Sequence, residues 1–295
     1  MTKAPTILFC VGATKAGTSW LYDYLAHHPG CHMRSIKELH YFDTLETGAF
    51  RQQLAVHRRF AARLRQRLLT ATGDGLRRAT DKMQDVLEWQ EVLQEKAENA
   101  PRYLSYLTQG RSDEALVADI TPSYALLPVA RLRAMAALSP DTRFIYLMRD
   151  PIARLWSHVR MLGRRAGVAG EAFAKSCSDT LEQVLNGAQS SMTERGDYAG
   201  ALARLNAAIA PGKLLVMFME EMLTPNGLAR LCAFLGIDCQ PANFDQPVHV
   251  GPALAMTLDQ TQRARALLHP QYDYIARHYP DIPENWRRNM GEAAK

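Results

Sequence analysis

The chain has 295 residues, 47% of them apolar, with 35 lysines and arginines against 30 acidic residues, a net charge of +5 and a pI near 9.0. This length and apolar share fit a globular protein with a substantial core, and the positive balance suits an anionic substrate or surface. No zinc-finger spacing, RNP-like aromatic pattern or basic tail points to nucleic acid. Five scattered cysteines without a Cys-x-x-Cys pair indicate neither a disulfide framework nor a zinc site, and they fit a reducing compartment.

The opening Met1–Thr6 runs into a first strand without a signal peptide or anchor, and no apolar stretch approaches bilayer length. The expectation is a soluble, cytoplasmic chain. An apolar, β-rich run at 6–11 leads into the turn Gly12-Ala13-Thr14-Lys15-Ala16-Gly17, and Thr18-Ser19 open an amphipathic helix through Leu21, Tyr22 and Leu25. Gly12 and Gly17 keep the spacing of a nucleotide-triphosphatase phosphate loop, but Thr18, not a lysine, follows Gly17. The lysine stands three residues earlier, at Lys15. Backbone N–H groups of such a turn, with the positive end of the helix, make a phosphate site.

The run Lys37-Glu38-Leu39-His40-Tyr41-Phe42-Asp43 comes next, followed by a helical insertion at about 50–107. Within it Arg51, Arg58, Arg59, Arg63, Arg65 and Arg67 fall in an interval without acidic residues, and Val56, Phe60, Leu64 and Leu68 form an apolar stripe. This basic helix, 51–68, is a candidate for peripheral contact with an anionic membrane or for covering an anionic acceptor. A solvated helix packed by its stripe is the alternative. Gly73-Asp74-Gly75 is read as a break before a second helix carrying Met83, Val86, Leu87, Trp89 and Leu93.

Further strands are expected at 115–119, 143–148 and 214–218. Helices are expected at 127–137, 151–165, 171–186, 198–209, 220–235 and 257–279. Alternating strand and helix predict an α/β fold with a mainly parallel sheet covered on both faces, in one domain over 1–295. Arg149-Asp150-Pro151 follows the strand at 143–148, where Asp150 can cap a helix and Pro151 can take its first position.

Three of these segments carry a family likeness. Lys15-Ala16-Gly17-Thr18-Ser19-Trp20 resembles the 5′-phosphosulfate loop of sulfotransferases that use 3′-phosphoadenosine 5′-phosphosulfate (PAPS). Arg149 and Ser157, within Arg149-Asp150-Pro151-Ile152-Ala153-Arg154-Leu155-Trp156-Ser157-His158, resemble that family's 3′-phosphate site. Glu38-Leu39-His40-Tyr41-Phe42-Asp43 resembles the stretch of the heparan-type branch whose glutamate deprotonates the acceptor hydroxyl.

The resemblance implies a three-layer α/β/α fold of phosphate-loop type. It implies Lys15 at the bridging oxygen between phosphate and sulfate, Thr18 and Ser19 on the 5′-phosphate, and Trp20 stacked on adenine. Ala16 and Gly17 complete the loop, and Tyr198 is expected near the nucleotide. Glu38 is the implied base, with His40 as its helper, as an acceptor contact or as the base in its place. Arg154 is expected behind the site rather than in it. The implied reaction moves a sulfuryl group from PAPS to a hydroxyl, less readily an amine, of a saccharide, lipid head group or small metabolite, with no metal.

Two departures stand out. Ala118-Asp119-Ile120-Thr121-Pro122-Ser123-Tyr124 resembles a family segment that carries lysine where this chain has Ile120, which weakens a heparan acceptor. The late loop His249-Val250-Gly251-Pro252-Ala253-Leu254 has no lysine or arginine where the family is usually basic. The likeness thins across 50–112 and after 245. The competing readings are a phosphate-loop kinase or other NTPase and a non-catalytic nucleotide-binding protein. Against a kinase stand the missing Gly-Lys-Ser/Thr ending and the added arginine–serine pair.

Overall fold

The computed structural model of the chain describes residues 4–244 and 254–291. Its centre is a five-stranded parallel sheet in the order β2-β3-β1-β4-β5, flanked by helices. β1 (Thr6–Gly12) is buried along its whole length, as a central parallel strand covered on both faces must be. Leu8, Phe9, Cys10 and Val11 are fully enclosed, and an apolar side chain so buried stabilises the fold by about 1.5–3 kcal/mol. α1 (Thr18–Ala26) follows, then β2 (Cys31–His32), a two-residue edge strand too short for any periodic signal.

α2 (Tyr41–Thr47), α3 (Phe50–Leu68), α4 (Gly73–Gln94) and α5 (Ala100–Thr108) come between β2 and β3 (Leu116–Ile120). The insertion is helical as expected, but its buried faces differ from the sequence reading. α3 buries Leu54, His57, Ala61 and Leu64, while Val56 is 49% exposed and the arginines point outward. The i, i+3, i+4 spacing of the buried set fits a helix against a neighbour better than a strict four-residue repeat, which drifts around the helix axis. Gly73 and Gly75 lie in the first turn of α4 rather than in a break. Trp89 points inward as part of the expected set, against Tyr41 and Tyr103, but Leu87 of that set is exposed.

A short 3₁₀ turn (Pro122–Leu126) and α6 (Val129–Ala136) lead to β4 (Thr142–Met148). α7 (Pro151–Arg165) starts as its sequence dictates, with Asp150 Oδ1 accepting from the Ala153 N–H at 2.8 Å and Pro151 in the first turn. α8 (Gly170–Leu185), α9 (Ser191–Glu194) and α10 (Tyr198–Ala208) follow, and then β5 (Leu214–Phe218).

The helix expected at 220–235 is two helices, α11 (Met219–Met222) and α12 (Pro225–Leu235). Pro225 has no N–H to continue the first, and Thr224 caps the second by accepting from the Gly227 N–H at 3.1 Å. α13 (Leu258–His278) begins with a capping box of Thr257 and Gln260, and α14 (Glu284–Met290) closes the described chain. No helix among the described residues is long and apolar enough to cross a membrane.

Candidate functional site

The Lys15 and Arg149 segments leave the carboxyl ends of the adjacent strands β1 and β4, where ligands bind in open parallel sheets, and the Glu38 segment, which follows β2, is tied to Thr121 just past the end of β3. From β1 the chain enters the loop at Gly12, and the Ala13 N–H fastens it to the Leu147 carbonyl of β4 at 2.6 Å. Lys15 has φ 72° and Gly17 has φ 86°. A left-handed turn suits Gly17, and a Cβ there would also stand 2.8 Å from Met219 Cγ. In Lys15 the same conformation costs about 1–2 kcal/mol, a strain typical of functional loops. No side chain caps the start of α1, which leaves its first N–H groups directed at the loop's concavity. Ala16 and Thr18 are buried, and Ser19 is half-buried.

Lys15 is part-buried, and its pKa is pushed down to about 8, first by burial and then by Arg164, Arg149, Lys37 and Arg165. So many cations around one ammonium group oppose its charge, which an incoming anion would restore. The Arg149 guanidinium donates to the Lys15 carbonyl at 3.2 Å and binds the two motifs together. Its backbone is held by Tyr198, whose hydroxyl accepts from the Arg149 N–H at 3.2 Å and donates to its carbonyl at 2.5 Å. Tyr198 is fully buried, so it positions Arg149 from behind. Ser157 lies half-buried on α7, and Arg154 is wholly enclosed, donating to the Met192 carbonyl at 2.7 Å. A Cβ at Gly196 would meet Arg154 Nε at 2.5 Å, so that glycine makes the room.

The Glu38 segment reaches the same place from the β3 side. Lys37 Nζ donates to Glu38 Oε1 at 2.7 Å and to Thr18 Oγ1 at 3.3 Å, spanning the two loops. Glu38 Oε2 stands 3.6 Å from His40 Nε2, and His40 Nδ1 meets Asp43 Oδ2 at 2.7 Å. Ser123 Oγ donates to Asp43 at 2.7 Å. Burial raises the Glu38 carboxyl, but His40 and Lys37 outweigh it and bring the pKa to about 2. Burial lowers His40, but Asp43 and Glu38 outweigh that and lift it to about 9. At neutral pH the trio is therefore carboxylate, imidazolium, carboxylate. His40, like Lys15, has a left-handed backbone, φ 54°.

Residues without an assigned role in the sequence hold this arrangement. Asp119, at the end of β3 and fully buried, accepts from Thr121 at 2.6 Å and from Tyr103 and Tyr124 at 2.8 Å. Thr121 Oγ1 in turn accepts from the Leu39 N–H at 3.0 Å, and the Tyr124 hydroxyl from the Tyr41 N–H at 2.9 Å. The backbone on both sides of His40 thus hangs from one buried carboxylate. The Asp119-Ile120-Thr121-Pro122-Ser123-Tyr124 run contained that signal, since Asp, Thr and Tyr at such spacing make a hydrogen-bonded corner. Only contacts distant in sequence identify what it supports.

Trp20 follows the loop as expected, but Tyr24 and Phe244 already lie near-parallel to it at 5.6 and 5.9 Å. Stacking of adenine on Trp20 would require Phe244 to give way. The loop at 249–254 lies outside the described residues, apart from Leu254, whose carbonyl accepts from Trp156 Nε1 at 2.6 Å. A cavity of about 690 Å³ lined by Met148, Phe218, Glu220, Tyr279 and Arg287 includes none of the predicted site residues.

The profile of the Sulfotransferase family matches residues 5–241. Among solved structures, a sulfotransferase from Alicyclobacillus acidocaldarius is 19% identical, with a TM-score of 0.59 over 97% of this chain and 100% of that one. The sulfotransferase domain of a Synechococcus PCC 7002 olefin synthase is 18% identical, with a TM-score of 0.48 over 96% of this chain and 97% of that one. No curated protein matches.

Proposed function

The chain belongs to the sulfotransferase family, and on that premise we propose that it transfers a sulfuryl group from PAPS to a hydroxyl acceptor, leaving adenosine 3′,5′-bisphosphate. The observation that carries the reading is the meeting of Lys15 and Arg149, neither paired with a carboxylate among the described ion pairs, with the Lys37–Glu38 pair across the same loop. The donor supplies the activated sulfur. Arg149 and Ser157 take the 3′-phosphate, for which a planar guanidinium offers two parallel donors. Thr18, Ser19 and the first N–H groups of α1 take the 5′-phosphate.

In this reading Glu38 removes the acceptor proton as the new sulfur–oxygen bond forms. Lys15 neutralises the phosphate oxygen as the old bond breaks. His40 is charged up to about pH 9 and engaged at both nitrogens, so it orients Glu38 rather than acting as the base.

Adenosine 3′,5′-bisphosphate at a hundredfold excess over Kd should stabilise the protein by about 2.7 kcal/mol, and adenosine 5′-phosphate by much less. Arg149→Ala should remove most of the difference, since charge-assisted hydrogen bonds contribute about 1.5–3 kcal/mol. Equal thermal shifts from the two nucleotides in the wild type would sink the donor assignment.

A pH profile offers a second check. Lys15 must be charged to act, so kcat/KM, which reports the free enzyme, should fall as pH rises through about 8. The limb in kcat should lie higher, because a bound phosphosulfate favours the ammonium form. An alkaline limb that stays near 8 in Lys15→Arg would belong to some other group.

A further inference from the structure

Several part-buried cations of this protein have a carboxylate partner. Arg34 lies 2.8 Å from Asp85, Arg131 is 2.6 Å from Glu46, Arg143 and Lys213 share Asp141, and Arg263 meets Glu182 at 2.8 Å. Around the phosphate loop only Lys37 has one, in Glu38. Among the described residues no ion pair involves Lys15, Arg149, Arg164, Arg165 or Arg195.

Arg164 and Arg165 end α7, and Arg195 follows α9 and reaches Thr14 Oγ1 at 3.5 Å. Their fields converge: Arg164 and Arg165 oppose the charge on Lys15, while His158, kept neutral first by burial and then by Arg154, also feels Arg195 and Arg165. Guanidinium groups whose fields act on the same loop without counter-charges favour an anion there.

The donor already has its cations in the reading above. Arg149 faces the 3′-phosphate, and Lys15 faces the phosphosulfate. Lys37 meets the loop at its helix end, Thr18, and Arg195 meets it at its strand end, Thr14. A molecule attacking beside Glu38 and extending across Lys15 would bring its far end to the three remaining arginines.

We propose that Arg164, Arg165 and Arg195 form an oxyanion subsite for the acceptor, so that the hydroxyl compound sulfated here carries a phosphate or carboxylate group of its own. The proposal rests on the donor reading, and its test separates the two.

The protein is saturated with adenosine 3′,5′-bisphosphate, and binding of glucose 6-phosphate, glucuronate and glucose is measured by calorimetry. At least one charged sugar should bind about tenfold or more tightly than glucose, with the preference shrinking at high salt. The phosphate and carboxylate arms show which oxyanion fits. Arg164→Gln with Arg165→Gln and Arg195→Gln should abolish the preference and change bisphosphate affinity by less than about twofold, whereas lysine at the three positions should keep most of it. Charged sugars that bind no better than glucose overturn the proposal. So does a bisphosphate affinity about tenfold weaker in the glutamine variant, which would assign the arginines to the donor. Failure of the wild type to bind bisphosphate at all would remove the donor reading, and the subsite with it.

Discussion

Lys15→Ala is expected to lower turnover by about 10²–10³-fold, the loss typical when one preorganised donor to a transition-state charge is removed. The effect should fall on kcat more than on KM for PAPS, because the negative charge on the leaving oxygen grows only as the sulfur–oxygen bond breaks. Arg149 and the first turn of α1 remain to hold the nucleotide. Lys15→Arg should recover part of the loss, since it restores charge but not the shape of an ammonium group in a strained turn. A single-turnover rate in Lys15→Ala within about twofold of the wild type would remove Lys15 from the chemistry.

Glu38→Gln is the second large effect, a fall of about 10²–10⁴-fold in transfer, the range for loss of a general base. Glutamine keeps the size of the side chain and one carbonyl acceptor for Lys37, so the bridge from Lys37 to Thr18 should survive and bisphosphate affinity should stay nearly constant. The carboxyl's pKa of about 2 sharpens the expectation. It is fully ionised at working pH, but too weak a base to take the proton before attack. In the proposed reaction proton removal accompanies sulfur–oxygen bond formation, which acidifies the acceptor hydroxyl. Full turnover in Glu38→Gln would pass the role to His40, and His40→Ala would then have to show the same fall.

Much of this fold could be read from the chain alone, because long buried strands and amphipathic helices leave strong local signals. The strands at 6–11, 143–148 and 214–218 and the helix at 151–165 stand where apolar runs and Asp150-Pro151 put them. What escaped was short or set by partners far away. β2 is two residues long, α2 is preceded by the left-handed His40 rather than by a capping side chain, and α11 is a single turn.

The site divides the same way. Lys15, Glu38, His40 and Arg149 could be picked out as candidates because each sits in a compact motif. Arg195 and Asp119 were not, since Arg195 contacts Thr14 across 181 positions and Asp119 acts through hydroxyls that support the neighbours of His40. The stripe on α3 was misread because a four-residue repeat looks amphipathic whichever face meets the protein. Only the packing of α3 against α4 decides that Leu54, His57, Ala61 and Leu64 are the inner set.

Asp119 has one more implication, for how such a protein can diversify. The loop of Lys15 springs from β1, Arg149 from β4, and the segment of Glu38 is suspended from β3 through Asp119, so the separations among these groups are inherited from the spacing of neighbouring strands, about 4.8 Å each. The outward faces of α3 and α4 take no part in that suspension. Exchanges there can accumulate while the separations among Lys15, Arg149 and Glu38 stay as the sheet set them.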